Sequence, residues 1–321
     1  MIRARIFREH QPPLEAAGDA WLELPREPDS ILWLDLDSPT DAELANVQRA
    51  LGIDACAAEI ARRVSTRPSL RIFPTQYLVT TRFVEVDESA RPRLATSDLD
   101  LIVGDTFVVS VHTRPVPFFD EISDRIAAFG QLGRFDPSYL LYVLLDTLVV
   151  HFSRQLDEVE DQVERLEEEM LRDPGSRGLN DAIVMQRHVY GLRRLVAPHR
   201  EPFAALVAPD SPVTPENVEV YFRDIVAYHD SVVDRIDHVR DIVVGSYNLY
   251  ISNISHRTNQ ELRVLTFLSA VLLPMTVITG VFGTNFKLSE YDAWEPFYVM
   301  LAGMALITVG MLAFFRWRGW L

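Results

Sequence analysis

Val264-Leu-Thr-Phe-Leu-Ser-Ala-Val-Leu-Leu-Pro-Met-Thr-Val-Ile-Thr-Gly-Val-Phe-Gly-Thr-Asn-Phe286 holds no charged residue over 23 positions, and Pro296 to Phe315 holds none over 20. At 1.5 Å rise per residue these runs span roughly 34 Å and 30 Å as helices, enough for a hydrocarbon core of about 30 Å. Neither run has a polar face with which to meet water, so both are predicted transmembrane helices rather than core helices. Arg257 and Arg263 precede the first span and Arg316 and Arg318 follow the second, while the connecting loop carries only Lys287. Positive residues favour the cytoplasmic side, which predicts cytoplasmic N- and C-termini in the cell (inner) membrane and a short outer loop over 287–295. That loop carries Glu290, Asp292 and Glu295, an acidic set suited to attracting cations.

Working outward, the rest of the chain is of another kind. The 321 residues carry net charge −15. From Asn248 onward five basic residues face four acidic ones, so the first 247 residues hold the whole excess of acid. An acidic body argues against nucleic acid as a partner. With one cysteine, Cys56, neither an internal disulfide nor a cysteine-rich zinc site can form. Met1 to Phe7 has no long apolar core behind its charges, so no secretory signal is expected. No Gly-rich phosphate loop, Ser/His/Asp constellation or metal-spaced His pair is visible, so neither ATP, an organic cofactor nor enzymatic activity is expected. His112, His188 and His199 are isolated and read as core-satisfied or solvated.

Residues 1–130 alternate strand and helix signals and predict a cytoplasmic α/β domain. Ser30 to Asp37 is a β-rich run, Ser38-Pro-Thr-Asp-Ala-Glu43 opens a helix that ends at Leu51-Gly52, and Gln76 to Val86 and Leu99 to His112 read as further strands with a break at Gly104-Asp105. Residues 131–247 are predicted helical. Leu145, Val149, Phe152, Leu156, Val159, Val163, Leu166 and Met170 step by 4 and 3 in an unbroken seam that ends at Asp173-Pro174-Gly175. A second helix over 179–208 is expected to return antiparallel. Thr214-Pro215-Glu216 then supplies an expected N-cap, a Pro at the first helical position and an early acid. Helix is expected onward from Pro215 through Phe282, about 100 Å of stalk running into the first span. The membrane part divides into 248–286 (stalk end and first span), 287–295 (outer loop) and 296–321 (second span and basic tail).

Along the second half of that rod, Asn248, Ser252, Ser255, Asn259, Leu262, Thr266, Ser269, Leu273, Thr276 and Gly280 again step by 4 and 3. A packing seam should be apolar, yet seven of these ten residues have polar side chains. Inside a bilayer such groups must face protein or water, which leaves two readings: a hydrated pore formed by several copies, or small polar residues joining helices. In the pore reading Leu262 and Leu273 form apolar constrictions that gate by dewetting.

Thr258-Asn-Gln-Glu-Leu-Arg-Val-Leu-Thr266, Leu273-Pro-Met-Thr-Val-Ile-Thr-Gly280, Val281-Phe-Gly-Thr-Asn-Phe286 and Phe315-Arg-Trp-Arg-Gly-Trp-Leu321 together resemble the CorA family of divalent-metal transporters. The likeness extends to Tyr221-Phe-Arg-Asp224, Tyr139-Leu-Leu-Tyr-Val-Leu-Leu-Asp146 and Leu32-Trp33-Leu34-Asp35, and so covers nearly the whole chain. It implies a funnel-shaped homopentamer with a cytoplasmic α/β domain, long stalk helices and two spans per chain, conducting Mg2+ (or Co2+, Ni2+ or Zn2+) down the membrane potential. The family's Gly-Met-Asn signature falls on Gly283, Thr284 and Asn285, which the resemblance makes the selectivity filter, with Thr in place of Met. The outer loop lacks the family's usual Met-Pro-Glu-Leu stretch, and Asn248 stands where members often place an Asp. The related ZntB branch, associated with zinc, also has variant signatures. The resemblance further implies regulation by intracellular metal bound between protomers, with Asp224 as one ligand and Asp98 or Asp100 as its partner. A membrane-anchored metal sensor without flux is the reading from another class.

Overall fold

The computed structural model describes residues 1–8, 11–23, 30–63, 67–87, 93–119, 121–122, 136–172, 176–208, 213–283 and 295–319. These divide into two compact units, Met1–Ser246 and Tyr247–Leu321.

The first unit is built on a seven-stranded sheet of β1 (Ile2–Arg8), β2 (Gln11–Ala17), β3 (Ser30–Asp37), β4 (Ser69–Ile72), β5 (Gln76–Asp87), β6 (Arg93–Gly104) and β7 (Phe107–His112), in the order β2-β1-β3-β7-β6-β5-β4. Only the β3–β7 pair is parallel, and it runs from Leu32↔Phe107 to Asp37↔His112. The remaining pairs are antiparallel. Two helices, α1 (Asp41–Leu51) and α2 (Ala55–Arg62), supply Leu44, Val47, Ala57 and Ala58 to a core that includes Leu32, Leu34 and Leu36 of the sheet. Leu34 and Leu36 are fully buried, each worth roughly 1.5–3 kcal/mol over exposure. The start of α1 is a capping box. Thr40 Oγ1 accepts from the Glu43 N–H at 3.3 Å, and Glu43 Oε2 accepts from the Thr40 N–H at 2.8 Å. Gly52 ends it in the left-handed region at φ 67, where a side chain would be strained.

Helix α3 (Pro137–Arg172) contacts β5, β6 and β7, and all eight residues of its predicted seam are buried. The end of that seam at 173–175 lies outside the described residues. The expected single return helix over 179–208 is instead two, α4 (Ser176–Val196) and α5 (Arg200–Leu206), joined by a 3-10 turn at Ala197–His199. Pro198 causes the break, since it has no N–H to donate and its ring excludes the preceding turn. The Val196 carbonyl at this corner accepts from two imidazoles, His199 Nδ1 at 3.1 Å and His229 Nε2 at 3.0 Å. His199 Nε2 in turn accepts the Arg82 backbone N–H at 2.9 Å, which fixes the proton of this neutral ring on Nδ1. Desolvation, the first cause, pushes His199 down to about 3.

The long helix α6 runs from Glu216 to Gly283, 68 residues, and contributes to both units. Its start differs from expectation. The Pro215 carbonyl accepts from the N–H groups of Val218 and Glu219, while the Thr214 hydroxyl donates to the Leu206 carbonyl at 2.7 Å and so tethers the helix start to α5. Arg235 joins α6 to α3 by reaching Ser153, Asp157 and Glu160 at 3.0, 2.6 and 2.7 Å. Pro274 lies inside α6 and the helix continues through it, although the Ala270 carbonyl thereby lacks its usual donor. A final helix, α7 (Glu295–Trp317), belongs to the second unit.

Candidate ion pathway

Within the second unit, α6 and α7 each contain an apolar stretch of mean hydropathy 2.1, long enough to cross a membrane. They meet through Phe267 and Phe315, whose rings pack edge to face at 5.3 Å. On α6 the residues screened on this side are Phe267, Ala270, Val271, Pro274, Met275 and Ile278, all half-buried. The predicted stripe lies elsewhere. At 100° per residue, Thr266, Ser269, Leu273, Thr276 and Gly280 centre roughly 140–150° from that contact, on the far side of the helix. All ten stripe residues, Asn248 to Gly280, are exposed in the single chain, Leu262 at 52% and Leu273 at 66%. Packing inside one chain therefore does not account for the stripe.

The stripe's chemistry is directional. The Thr266 hydroxyl donates to the Leu262 carbonyl at 2.7 Å and the Thr276 hydroxyl to the Leu272 carbonyl at 2.9 Å. With their protons committed to the helix, these oxygens present lone pairs outward, which suits the water shell of a cation. A Cβ added at Gly280 would meet nothing within 4 Å, so the chain's own packing does not demand glycine there. Gly283 is the last residue of α6 and is not in the left-handed conformation of Gly52 and Gly319. Thr284, Asn285, Glu290 and Asp292 lie outside the described residues, and of Glu295 only its place as the first residue of α7 is described.

Asp224 sits exposed on α6. Its neighbour Tyr221 packs on Tyr142 at 5.2 Å, and Phe222 is buried against the same ring, which holds this part of α6 on α3 and leaves Asp224 facing away. Its two expected partners are placed quite differently. Asp98 and Asp100 share one face of β6, where the register sets Asp98 opposite Arg82 and Asp100 opposite Thr80. Asp98 accepts from Arg82 Nε at 2.8 Å, and both carboxyls are buried within the chain. Desolvation, first, and the Asp98 charge push Asp100 up to about 7, against the lowering effect of the Thr80 hydroxyl. Both are thus buried within the single chain, whereas Asp224 is exposed. Among the described residues no group of three or more His, Cys, Asp or Glu is arranged to hold a metal.

The isolated histidines are interior residues. His112 contacts Asp35 Oδ1 at 2.8 Å and the Arg114 carbonyl at 2.7 Å, and His199 is bonded through both nitrogens. His188 is buried with neither ring nitrogen hydrogen-bonded among the described residues.

An α/β body and a long helix that continues into one of two membrane-length apolar helices, with a polar stripe along it, give the architecture of a membrane protein. The family follows from the sequence: residues 28–317 match the family model described as CorA-like Mg2+ transporter protein, and the chain belongs to that family of divalent cation transporters. It is 28% identical over 298 residues to the cobalt/magnesium transport protein CorA of Thermotoga maritima, covering 89% of this chain and 85% of that one. It is 25% identical to the divalent cation transporter CmaX of Pseudomonas aeruginosa, covering 90% and 86%. The complete structure of the CorA magnesium transporter from Methanocaldococcus jannaschii superimposes with a TM-score of 0.82 at 18% identity, covering 100% of this chain and 99% of that chain. That likeness gives the fold.

Proposed function

We propose that the chain assembles as a homopentamer in the cell membrane with both termini cytoplasmic, and that the α6 stripes of the five copies line a hydrated path for Mg2+ or a related divalent cation. The observation that carries this reading is the placement of the polar stripe, exposed along its whole length and turned away from α7. Mg2+ gives up water reluctantly, so a path lined by hydroxyl and amide oxygens conducts it by accepting hydrogen bonds from its water shell. Gly283, Thr284 and Asn285 form the outer filter, where five Asn285 amides make a neutral polar ring. Glu290, Asp292 and Glu295 raise the local cation concentration beside it. Leu262 and Leu273 are the apolar constrictions. A divalent ion moving down 100 mV gains about 4.6 kcal/mol, so inward flow needs no ATP. Asp224 takes part in closing the path when internal metal is high, since a cation bridging neighbouring chains holds them together and its loss leaves like charges to repel. Relatives named for cobalt and magnesium support Co2+ beside Mg2+ as the proposed cargo, with Ni2+ and Zn2+ as further candidates.

The test is uptake of Mg2+, Co2+, Ni2+ and Zn2+ into proteoliposomes with and without an imposed inside-negative potential. Voltage-sensitive uptake of at least one ion is expected, together with near-complete loss in Asn285→Ala at an unchanged oligomeric state. An inserted oligomer that moves none of the four, at low or high internal metal, refutes transport in favour of a sensor.

A further inference from the structure

Each apolar run in the second unit ends at an arginine border, and packing brings the two borders to one level. Arg263 is the last charged residue before the uncharged run of α6, and Arg316 is the first after the uncharged run of α7. Phe267 lies four residues beyond Arg263, and Phe315 adjoins Arg316. The ring contact of these two aromatics therefore sets each arginine, along its own helix, within roughly 6 Å of rise from a shared point. Arg318 follows three residues after Phe315, and all three arginines are exposed. No Asp or Glu occurs over 262–283 or 296–319, so their charge is unbalanced locally. Arg257, the next basic residue along α6, is instead matched by Glu261 at 3.6 Å.

The end of α7 adds aromatic surface to this charge. Arg318 Cζ lies 6.0 Å from the centroid of the Phe314 ring, and Trp317 stands 6.5 Å from the same ring. Phe314 is 47% exposed and Trp317 82%. At a bilayer boundary such rings meet acyl chains with their apolar bodies, and an indole N–H reaches the headgroup level. A guanidinium offers a planar fork that matches two phosphate oxygens. The partner that fits both halves of the patch is an amphiphilic anion. A soluble anion would leave the rings in water, and a zwitterionic headgroup would bring its own cation into the arginines. We infer that Arg316 and Arg318, with Arg263 at the same border, bind the phosphate of an anionic phospholipid headgroup, while Phe314 and Trp317 seat the adjoining acyl chain. One headgroup held by arginines of both helices would clamp α6 to α7, and so tie the lipid composition to the helix that carries the stripe. The inference rests on these two helices crossing a bilayer and not on the ion path.

The experiment places the full chain in phosphatidylcholine vesicles that carry a graded share of phosphatidylglycerol brominated on its acyl chain or, separately, of brominated phosphatidylcholine. Bromine quenches tryptophan fluorescence on contact. Half-maximal quenching is expected at a more than tenfold lower mole fraction of phosphatidylglycerol, and Trp317→Phe should remove most of that difference. Arg316→Gln and Arg318→Gln, at an exposed helix end, should each move the phosphatidylglycerol curve about fivefold toward that of phosphatidylcholine, the equivalent of about 1 kcal/mol per basic residue. Salt at about 1 M should act as loss of an arginine does. Circular dichroism and oligomer size show that each variant is folded. Equal quenching by both lipids, the result if an acidic segment of the chain itself occupies the arginines, overturns the site. A preference that survives in the double variant Arg316→Gln/Arg318→Gln overturns it too. The Asn285→Ala protein separates the two proposals, because it should lose flux yet keep the lipid preference. Flux intact without the preference would sink the lipid site alone.

Discussion

Acidification should loosen the corner at Pro198, and His199 is the group that senses it. Its imidazole is fully buried, accepts the Arg82 N–H and donates to the Val196 carbonyl, so a second proton would expel one bond and charge a site without water. The folded value is about 3 against about 6.5 in the unfolded chain. A lowered folded value means that the unfolded chain binds protons first. The contribution is therefore fully present above pH 6.5 and is lost as pH falls toward 3. Between pH 7 and pH 5 one such group removes about 2 kcal/mol, at about 1.36 kcal/mol per pH unit below 6.5. Burial lowers His229, His151 and His188 as well, with the same sign. The discriminating variant is His199→Gln, whose amide can serve both partners and does not titrate. Melting curves by circular dichroism, taken in chelator at pH 7 and pH 5, should show the wild type losing about 4–8 °C more than the variant over that interval, from about 2–4 °C per kcal/mol for a unit of this size. An equal pH shift in both proteins would refute the assignment of His199 as a buried neutral base.

Asp224→Asn should weaken closure by internal divalent metal, whereas Asp224→Lys, which tethers a cation in place of the metal, should weaken it less. Flux measured against internal Mg2+ separates them, and closure of both at the wild-type concentration would remove Asp224 from regulation. Leu273, 66% exposed in the single chain, adds little to the protomer's own packing, so Leu273→Ser should leave assembly intact and give several-fold higher basal flux with metal bound. Basal flux at the wild-type level would show that this leucine does not line the constriction.

What the sequence made legible was local or periodic. Thr40 and Glu43 lie three residues apart, and their reciprocal bonds need nothing beyond the turn they start, so the beginning of α1 was readable. The seam from Leu145 to Met170 repeats at helical spacing, and a repeat that long has one face to bury. The polar stripe obeys the same arithmetic. Its direction relative to α7 was not readable, because that depends on which residues of the second helix meet Phe267. What was not readable is long-range. Register sets Asp98 against Arg82, and no pattern in β6 alone announces a partner 16 residues away. Pro198 breaks the expected single helix over 179–208, and its corner is stabilised by His229, 33 residues beyond Val196 and on another helix. Periodicity along α6 therefore exposes a face repeated in every turn, whereas a contact between single residues distant in the chain, such as Asp98 with Arg82 or His229 with Val196, becomes visible only when tertiary packing brings them together.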